Sequence, residues 1–404
     1  MKTVVFVGSH KSGSSYEAIR AADGMGYYTV LLTDRPSFID KRIEFPHAHS
    51  VRLCGLDSPG EVKRAVERLA IERFHINAIV SFIDPYCHTA AVLSREYGLK
   101  RFSEDAIEVM LDKTKSKQAL DGTPYSAFYQ VADSPSLASN TAREMPLVLK
   151  SPVSSGSKDV HLVCTARQYR ETFNQLRGQY PDVPVLVEKF LDGPQYLVET
   201  LTVGGTVSVV AIIEQEITFT GRFIVTGYRM VTHDGDAFCR SLKAAAADIV
   251  KAHGMSDGPC HLELRRFNGG WKLIEANPRI SGGAMNAFIE TAYGLDLAGE
   301  TLKFALGLEP DLRHRYKRDA YLQYLVTPEG GVLEKVTGRN AALNSPGVER
   351  VYVKPRKGAV LSPPLSMGYR YAYVIATGES GDAAEDNAKN AASKIKFHLY
   401  EDDG

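Results

Sequence analysis

Lys plus Arg and Asp plus Glu both number 48 across 404 residues, so the chain is formally neutral. That balance gives no global field for nucleic acid or an anionic membrane, and no apolar run approaches the ~20 residues a bilayer span needs. The five cysteines (Cys54, Cys87, Cys164, Cys239, Cys260) are scattered and lack CxxC spacing, so incidental or buried thiols in a reducing cytosol are expected.

Residues 3–7 are β-branched and aromatic and reach glycine and serine too soon for a signal peptide, which predicts a first strand. The turn Gly8-Ser9-His10-Lys11-Ser12-Gly13-Ser14-Ser15 follows, then a helix-like stretch over 16–25 and a second strand over 28–34. Strand, Gly/Ser turn, helix and strand make a βαβ unit with a parallel sheet. Amides at that turn suit an anion, but neither GxGxxG nor the Walker A pattern is present despite Gly8 and Lys11, which favours a structural Rossmann-like lobe. The alternation continues through a helix over 59–72, a strand over 78–82 and a helix over 89–97. Asp84-Pro85-Tyr86-Cys87-His88 follows the third expected strand, on the carboxyl edge where α/β sheets place ligands. His47 and His49 lack a third partner and read as surface residues.

Residues 103–120 read as one helix capped by Ser103, with Lys113, Lys115 and Lys117 on a solvated face. A strand over 146–150 ends on Lys150 and runs into Ser151-Pro152-Val153-Ser154-Ser155-Gly156-Ser157 before a short strand resumes over 160–163. Strand, small-residue loop, strand is the pattern of a lid over phosphates; a P-loop would pass into a helix. At 185–195 a strand runs into a turn and a further strand follows over 196–203, a hinge suited to an adenine edge and a ribose.

A helix is expected over 240–250, rich in strong helix formers. The stretch 260–285 then reads as a hairpin: two alternating runs joined through Asn268-Gly269. Glu263 and Glu275 fall near the ends of antiparallel partners, Asn277 adds a neutral oxygen and Arg279 a fixed positive charge. Such a set suits hard Mg²⁺ carrying phosphate, although this stretch by itself reads equally well as a surface hairpin with scattered charges. Ser281-Gly282-Gly283 opens a helix over 287–293. The basic run at 313–318 reads as a solvated linker, and a last helix over 383–397 gives way to an acidic, frayed tail.

Taken in order, LDKTKSKQAL, PLVLKSPVSSGSKDV, VLVEKFLDGPQYLVE and HLELRRFNGGWKLIEANPRISGG resemble the ATP-grasp superfamily. The stretch from PGVERVYVKP to NAASKIKF looks like the end domain of its L-amino-acid ligase branch, so the resemblance covers essentially the whole chain. It implies an α/β and α+β multidomain protein: a Rossmann-like lobe (1–102), an ATP-grasp small lobe with the phosphate-covering loop (103–187), a central metal-binding lobe (188–310) and a C-terminal α+β domain (311–404).

Residue by residue, the resemblance places Lys113 and Lys150 on the ATP phosphates. It puts Ser155, Gly156 and Ser157 in the closing loop and Glu188, Lys189, Phe190 and Leu191 at the adenine. Gln195 stands where a ribose-binding glutamate is common. Glu263, Glu275 and Asn277 match ligands of two Mg²⁺ ions, with Mn²⁺ as a substitute, and Arg279 matches the arginine that stabilises the reacting phosphate. Tyr228, Gly282, Gly283 and Asn286 border the substrate.

The implied activity is ATP-dependent coupling of a carboxylate, activated as an acyl phosphate, to an amine or amino acid, with ADP and phosphate released. The alternatives are a bicarbonate-phosphorylating carboxylase and a degenerate nucleotide-binding regulator. Small acids and amines are the expected partners, with neither nucleic acid nor membrane, and homodimers are common among relatives. One departure stands out: where the amino-acid ligases often carry Glu-x-x-His, this chain has Val225 and Tyr228, which favours an acid without a free amine.

Overall fold

In the computed structural model, which describes residues 1–152, 158–219, 222–233 and 235–400, the N-terminal apolar runs form a parallel sheet. Its strands are β1 (Lys2–Val7), β2 (Tyr28–Thr33), β3 (Ser50–Leu53) and β4 (His75–Val80), in the order β3-β2-β1-β4. Both faces are covered, as near-continuous apolar strands require: Val4 and Phe6 join one core cluster and Val5 and Val7 another. The edge strand β3 is only half-buried and carries no apolar run, so the sequence reading passed over it. Asp84 therefore follows the fourth strand, and it opens the helix Asp84–Glu96.

The predicted single helix over 103–120 is two, Glu104–Leu111 and Lys113–Gln118. Asp112 breaks it: its side chain accepts from the amides of Thr114 (2.8 Å) and Lys115 (3.0 Å) and so starts the second helix as an N-cap. A four-stranded antiparallel sheet follows, made of β5 (Tyr129–Ala132), β6 (Leu147–Lys150), β7 (Val160–Val163) and β8 (Val185–Lys189) in the order β5-β8-β6-β7. The helix Ala166–Gln179 packs Tyr169, Phe173 and Leu176 onto it.

The remaining strands are β9 (Gln195–Val203), β10 (Thr206–Phe219), β11 (Phe223–Met230), β12 (Gly258–Phe267), β13 (Gly270–Asn277), β14 (Asp319–Leu325), β15 (Gly331–Thr337), β16 (Val348–Val353), β17 (Val360–Leu361), β18 (Ala372–Gly378) and β19 (Lys396–Leu399). Eight of them form one sheet in the order β13-β12-β9-β10-β11-β14-β18-β16, which runs unbroken across the expected 310/311 boundary. The other three pair as β17-β15-β19. The last helix is Gly381–Ala392, shorter than the predicted 383–397, because residues 396–399 alternate polar and apolar and pair with β15 instead. Among the described residues no helix is long and apolar enough to cross a membrane.

Candidate active site

The β12–β13 hairpin turns through Asn268 (φ 49°) and Gly269 (φ 80°), both left-handed as a type I′ turn demands. Its register sets Glu263 directly opposite Glu275 and His261 opposite Asn277. Between Glu263 and Leu264 the pairing slips, leaving Ile274 as an extra residue on β13. Such a bulge re-aims the side chains beyond it. Trp271, Leu273 and Ala276 all enter the core, while Ile274 and Glu275 both line the cleft. Strict alternation would put Glu275 on the core face with Leu273.

Two carboxylates facing across a strand pair repel. Lys113 Nζ lies 3.5 Å from Glu275 Oε1, and Gln195 Nε2 donates to Glu263 Oε2 at 2.8 Å. Hard oxygen donors carrying this much negative charge fit a divalent cation whose shell the nucleotide's phosphates complete. Among the described residues no group of three or more His, Cys, Asp or Glu side chains is placed to hold a metal ion by itself.

Lys150 and Lys117 arrive from different elements but share one neighbour, Glu188. Lys150, at the end of β6, sits 2.8 Å from Glu188 Oε2, and Lys117 reaches Glu188 Oε1 at 3.0 Å. Lys117 also donates to the carbonyls of Leu273 (3.0 Å) and Ile274 (3.3 Å), so it holds the bulge. The solvated-face reading of this basic group therefore fits Lys115 and not Lys117: Lys115 is exposed and paired with Glu108, whereas Lys117 is 7% exposed. Burial opposes charge on Glu188, but the two ammonium groups hold its carboxyl down at about 2. Glu188, expected at the adenine largely through its backbone, spends its side chain on the lysines.

At the hinge, the Lys189 amide donates to Phe128 O and the Phe190 amide to Pro146 O, both at 3.0 Å. The Leu191 amide is without an acceptor among the described residues, and the Leu191 carbonyl takes Arg265 Nη1 at 2.5 Å. Val148, Val160, Ile217, Phe223, Ile274 and Met367 give the same cleft apolar walls. Gln195, expected at the ribose, is 6% exposed, and its carboxamide is used at both ends: Nε2 on Glu263 and Oε1 by Arg265 Nε at 2.9 Å. Ser155, Gly156 and Ser157 lie outside the described residues.

Arg279 Nη2 donates to Asp84 Oδ2 at 2.5 Å, and its Nη1 to Ile280 O at 3.0 Å. Burial works against its charge, and Asp84 holds the guanidinium above its ordinary value. Behind Glu263 and Glu275 lies a group the sequence reading missed: Glu199, fully buried, with Oε1 2.9 Å from His261 Nδ1 and bonded also to the Ser281 hydroxyl. His261 Nε2 in turn lies 3.7 Å from Glu263 Oε1. Although burial disfavours the imidazolium, Glu199 and Glu263 raise the His261 pKa to about 9. On its face of β9 Glu199 stands between Leu197 and Leu201, so only β12, with His261, Glu263 and Arg265 at alternate positions, carried a polar signal.

Of the four residues expected at the substrate, Tyr228 and the two glycines sit together. Arg370 Nη1 donates to the Tyr228 hydroxyl at 3.0 Å, and a Cβ on Gly283 would lie 2.9 Å from the Tyr324 hydroxyl. Gly282 is exposed in the same loop. Asn286 does not belong with them: it is 1% exposed, its Nδ2 donates to Asp296 (2.9 Å) and its Oδ1 accepts from the Ala298 amide (2.7 Å), tying two helices together.

Residues 143–287 match the family model described as an ATP-grasp domain, and residues 323–400 match the L-amino acid ligase C-terminal domain 2. An uncharacterized protein of Sinorhizobium fredii is 27% identical over 98% of this chain and 82% of its own length. Carnosine synthase 1 of Mus musculus is 26% identical over 63% of this chain, which covers only 34% of that protein. The crystal structure of an L-amino acid ligase from Bacillus licheniformis shares the fold, with TM-score 0.84 over 99% of both chains at 19% identity.

Proposed function

We propose, for a chain that carries an ATP-grasp domain and an L-amino acid ligase C-terminal domain, that it moves the γ-phosphoryl group of ATP onto a small carboxylic acid and couples the resulting acyl phosphate to an amine. ADP and phosphate leave. The observation that carries this reading is the convergence of Lys113, Lys150, Glu188, the hinge 189–191, Glu263 and Glu275 on one cleft.

A carboxylate is a poor electrophile, and phosphorylation gives it a good leaving group; the step calls for positioning and charge neutralisation more than covalent help from the protein. Lys113 and Lys150 supply fixed positive charge to the phosphates. The adenine lies between the apolar walls, with its ring edge on the Leu191 amide. Glu263, Glu275 and Asn277 would hold Mg²⁺, which supplies Lewis acidity at phosphate oxygens. Arg279, held in place by Asp84, faces the charge that develops on the transferring group.

Val225 lines the cleft, at the place where the amino-acid ligases often carry the glutamate of Glu-x-x-His. An α-ammonium group there would meet an apolar wall, which supports a donor acid without a charged amine.

The test is an ADP-release screen over pairs of carboxylic acids and amino acids, with product masses read out. Amide products that need both partners and ATP support the reading. Bicarbonate-stimulated ADP release without any amine, or no turnover with any pair, overturns it.

A further inference from the structure

Glu199 is fully buried, and the side-chain bonds found for it among the described residues all go to His261 and Ser281. It stands directly opposite His261 across β9 and β12, and His261 stands opposite Asn277 across β12 and β13. Glu199 Oε1 lies 2.9 Å from His261 Nδ1 and takes the Ser281 hydroxyl, while Oε2 accepts from the Ser281 amide at 3.2 Å. The Ser281 hydroxyl also lies 2.8 Å from His261 Nδ1. Beyond this triangle, His261 Nε2 faces Glu263 Oε1 at 3.7 Å, and the Ser281 carbonyl accepts from the Ser14 hydroxyl at 2.5 Å.

Serine, histidine and a carboxylate are the residue types of a hydrolytic triad, but this arrangement is not one. A nucleophile and its orienting acid occupy opposite nitrogens of the imidazole. Here Ser281 and Glu199 crowd the same Nδ1, and the serine is only 5% exposed. The triangle instead joins two parts of the cleft. His261 leads to Glu263, which faces Glu275. Ser281 opens the loop of Gly282 and Gly283, where the Tyr324 hydroxyl accepts from the Ala284 amide at 3.0 Å and a Cβ on Gly283 would meet that hydroxyl at 2.9 Å. A carboxylate without access to water is costly to leave unpaired, so the imidazole and the Ser281 main chain are held to one point.

We propose that Glu199 is a positioning residue for acyl-phosphate formation, setting the cation end of the site through His261 and Glu263 and the acid end through Ser281 and the 281–283 loop. This rests on the ligase reading above. In-line transfer needs the γ-phosphoryl group and the carboxylate of the donor acid at one distance and one angle. A single residue on a central strand, gripping both the imidazole behind Glu263 and the main chain of the loop, fixes that relation. Glu199 makes and breaks no bond in the reaction; it acts through its two partners.

Three variants separate the two ends. His261→Asn keeps a donor near the Nδ1 position for Glu199 and removes the Nε2 that faces Glu263. Ser281→Ala removes the hydroxyl and keeps the amide. Glu199→Gln keeps the shape and removes the charge that both partners share. Hydroxamate formation from ATP, Mg²⁺, hydroxylamine and a panel of carboxylic acids reports the donor step alone, and calorimetric binding of ADP without Mg²⁺ reports the adenine end. His261→Asn is expected to raise the Mg²⁺ requirement by about tenfold or more and to leave the acid's KM unchanged. Ser281→Ala is expected to raise the acid's KM by about threefold or more and to leave the Mg²⁺ requirement unchanged. Glu199→Gln is expected to raise both and to lower kcat, while metal-free ADP binding stays as in wild type. A Glu199→Gln protein that shifts only one of the two quantities, or that loses metal-free ADP binding to the same degree, overturns the proposal, because a general loosening of the fold would act on every ligand alike. Should Glu199→Gln fail to fold, the other two variants decide: separate shifts support the proposal, and a shift of the same quantity in both overturns it. Absence of hydroxamate from wild type with every acid would instead sink the ligase reading beneath it.

Discussion

Arg279 and Asp84 meet at 2.5 Å, the first just past the β12–β13 hairpin and the second at the carboxyl edge of the N-terminal parallel sheet. On the proposed reading the N-terminal sheet thereby contributes to the site, because Asp84 holds the guanidinium that would face the transferring phosphoryl group. Asp84→Asn keeps the shape and removes the ionic partner. It is expected to lower kcat by about 10- to 100-fold, as loss of an orienting partner typically does, while Arg279→Met costs about a hundredfold or more. Steady-state ADP release checks both, and a larger loss in the Asp84 variant than in the Arg279 variant would contradict this ordering.

Glu275 owes its place to the bulge at Ile274. Glu275→Gln keeps the shape and removes one of the two facing charges together with the ionic partner of Lys113. Its Mg²⁺ requirement for ADP release is expected to rise by about tenfold or more. A Mg²⁺ titration reads this directly; an unchanged requirement removes Glu275 from the metal site.

The Lys117–Glu188–Lys150 cluster makes a pH prediction with a definite sign. The Glu188 carboxyl sits at about 2 in the folded chain against an ordinary value of 4.5. Its contribution to stability is therefore complete above about pH 4.5 and lost as pH falls toward 2. Glu188→Gln strands two buried ammonium groups and should cost on the order of 3 kcal/mol near neutrality. Denaturant unfolding between pH 2 and 7 is expected to show the gap between wild type and variant closing on acidification. A constant gap would mean that the charge on Glu188 contributes nothing.

Gly13 ties the first turn of the chain to the substrate loop. Its φ is 83°, and a Cβ there would meet the Gly283 carbonyl oxygen at 2.6 Å. Gly13→Ala must both hold φ 83° with ψ −168°, a region essentially confined to glycine and costing on the order of 1–3 kcal/mol, and push back the main chain of the 281–283 loop. Lower thermal stability together with weaker amide formation is expected. A variant as stable and as active as wild type would show that this contact does not position the loop.

Much of this molecule could be read from residue order. The βαβ start, the Asn268-Gly269 turn and the strand ending on Lys150 follow from local rules, because hairpin turns, parallel strands and β-propensity depend on residues close in sequence. The order of the lysines, the hinge and the two carboxylates was equally visible. The strand β3, the break at Asp112 and the strand β19 were not, since each is decided by a partner or a cap rather than by its own apolar period.

The sequence by itself determined which residue types the cleft would hold and in what order along the chain they would come. Tertiary structure decided which way they face. Period-2 alternation places Glu275 with Trp271 and Leu273 in the core, and only the extra residue at Ile274, held by Lys117 from a distant helix, turns it toward Glu263. The same holds for Gln195 and Asn286, whose carboxamides are consumed by protein partners, and for Asp84, Glu199 and Arg370, which reach the site from 195, 82 and 145 residues away from the groups they touch. Contacts at such separations leave no local pattern, because the free energy that selects them comes from packing and charge pairing in the folded chain.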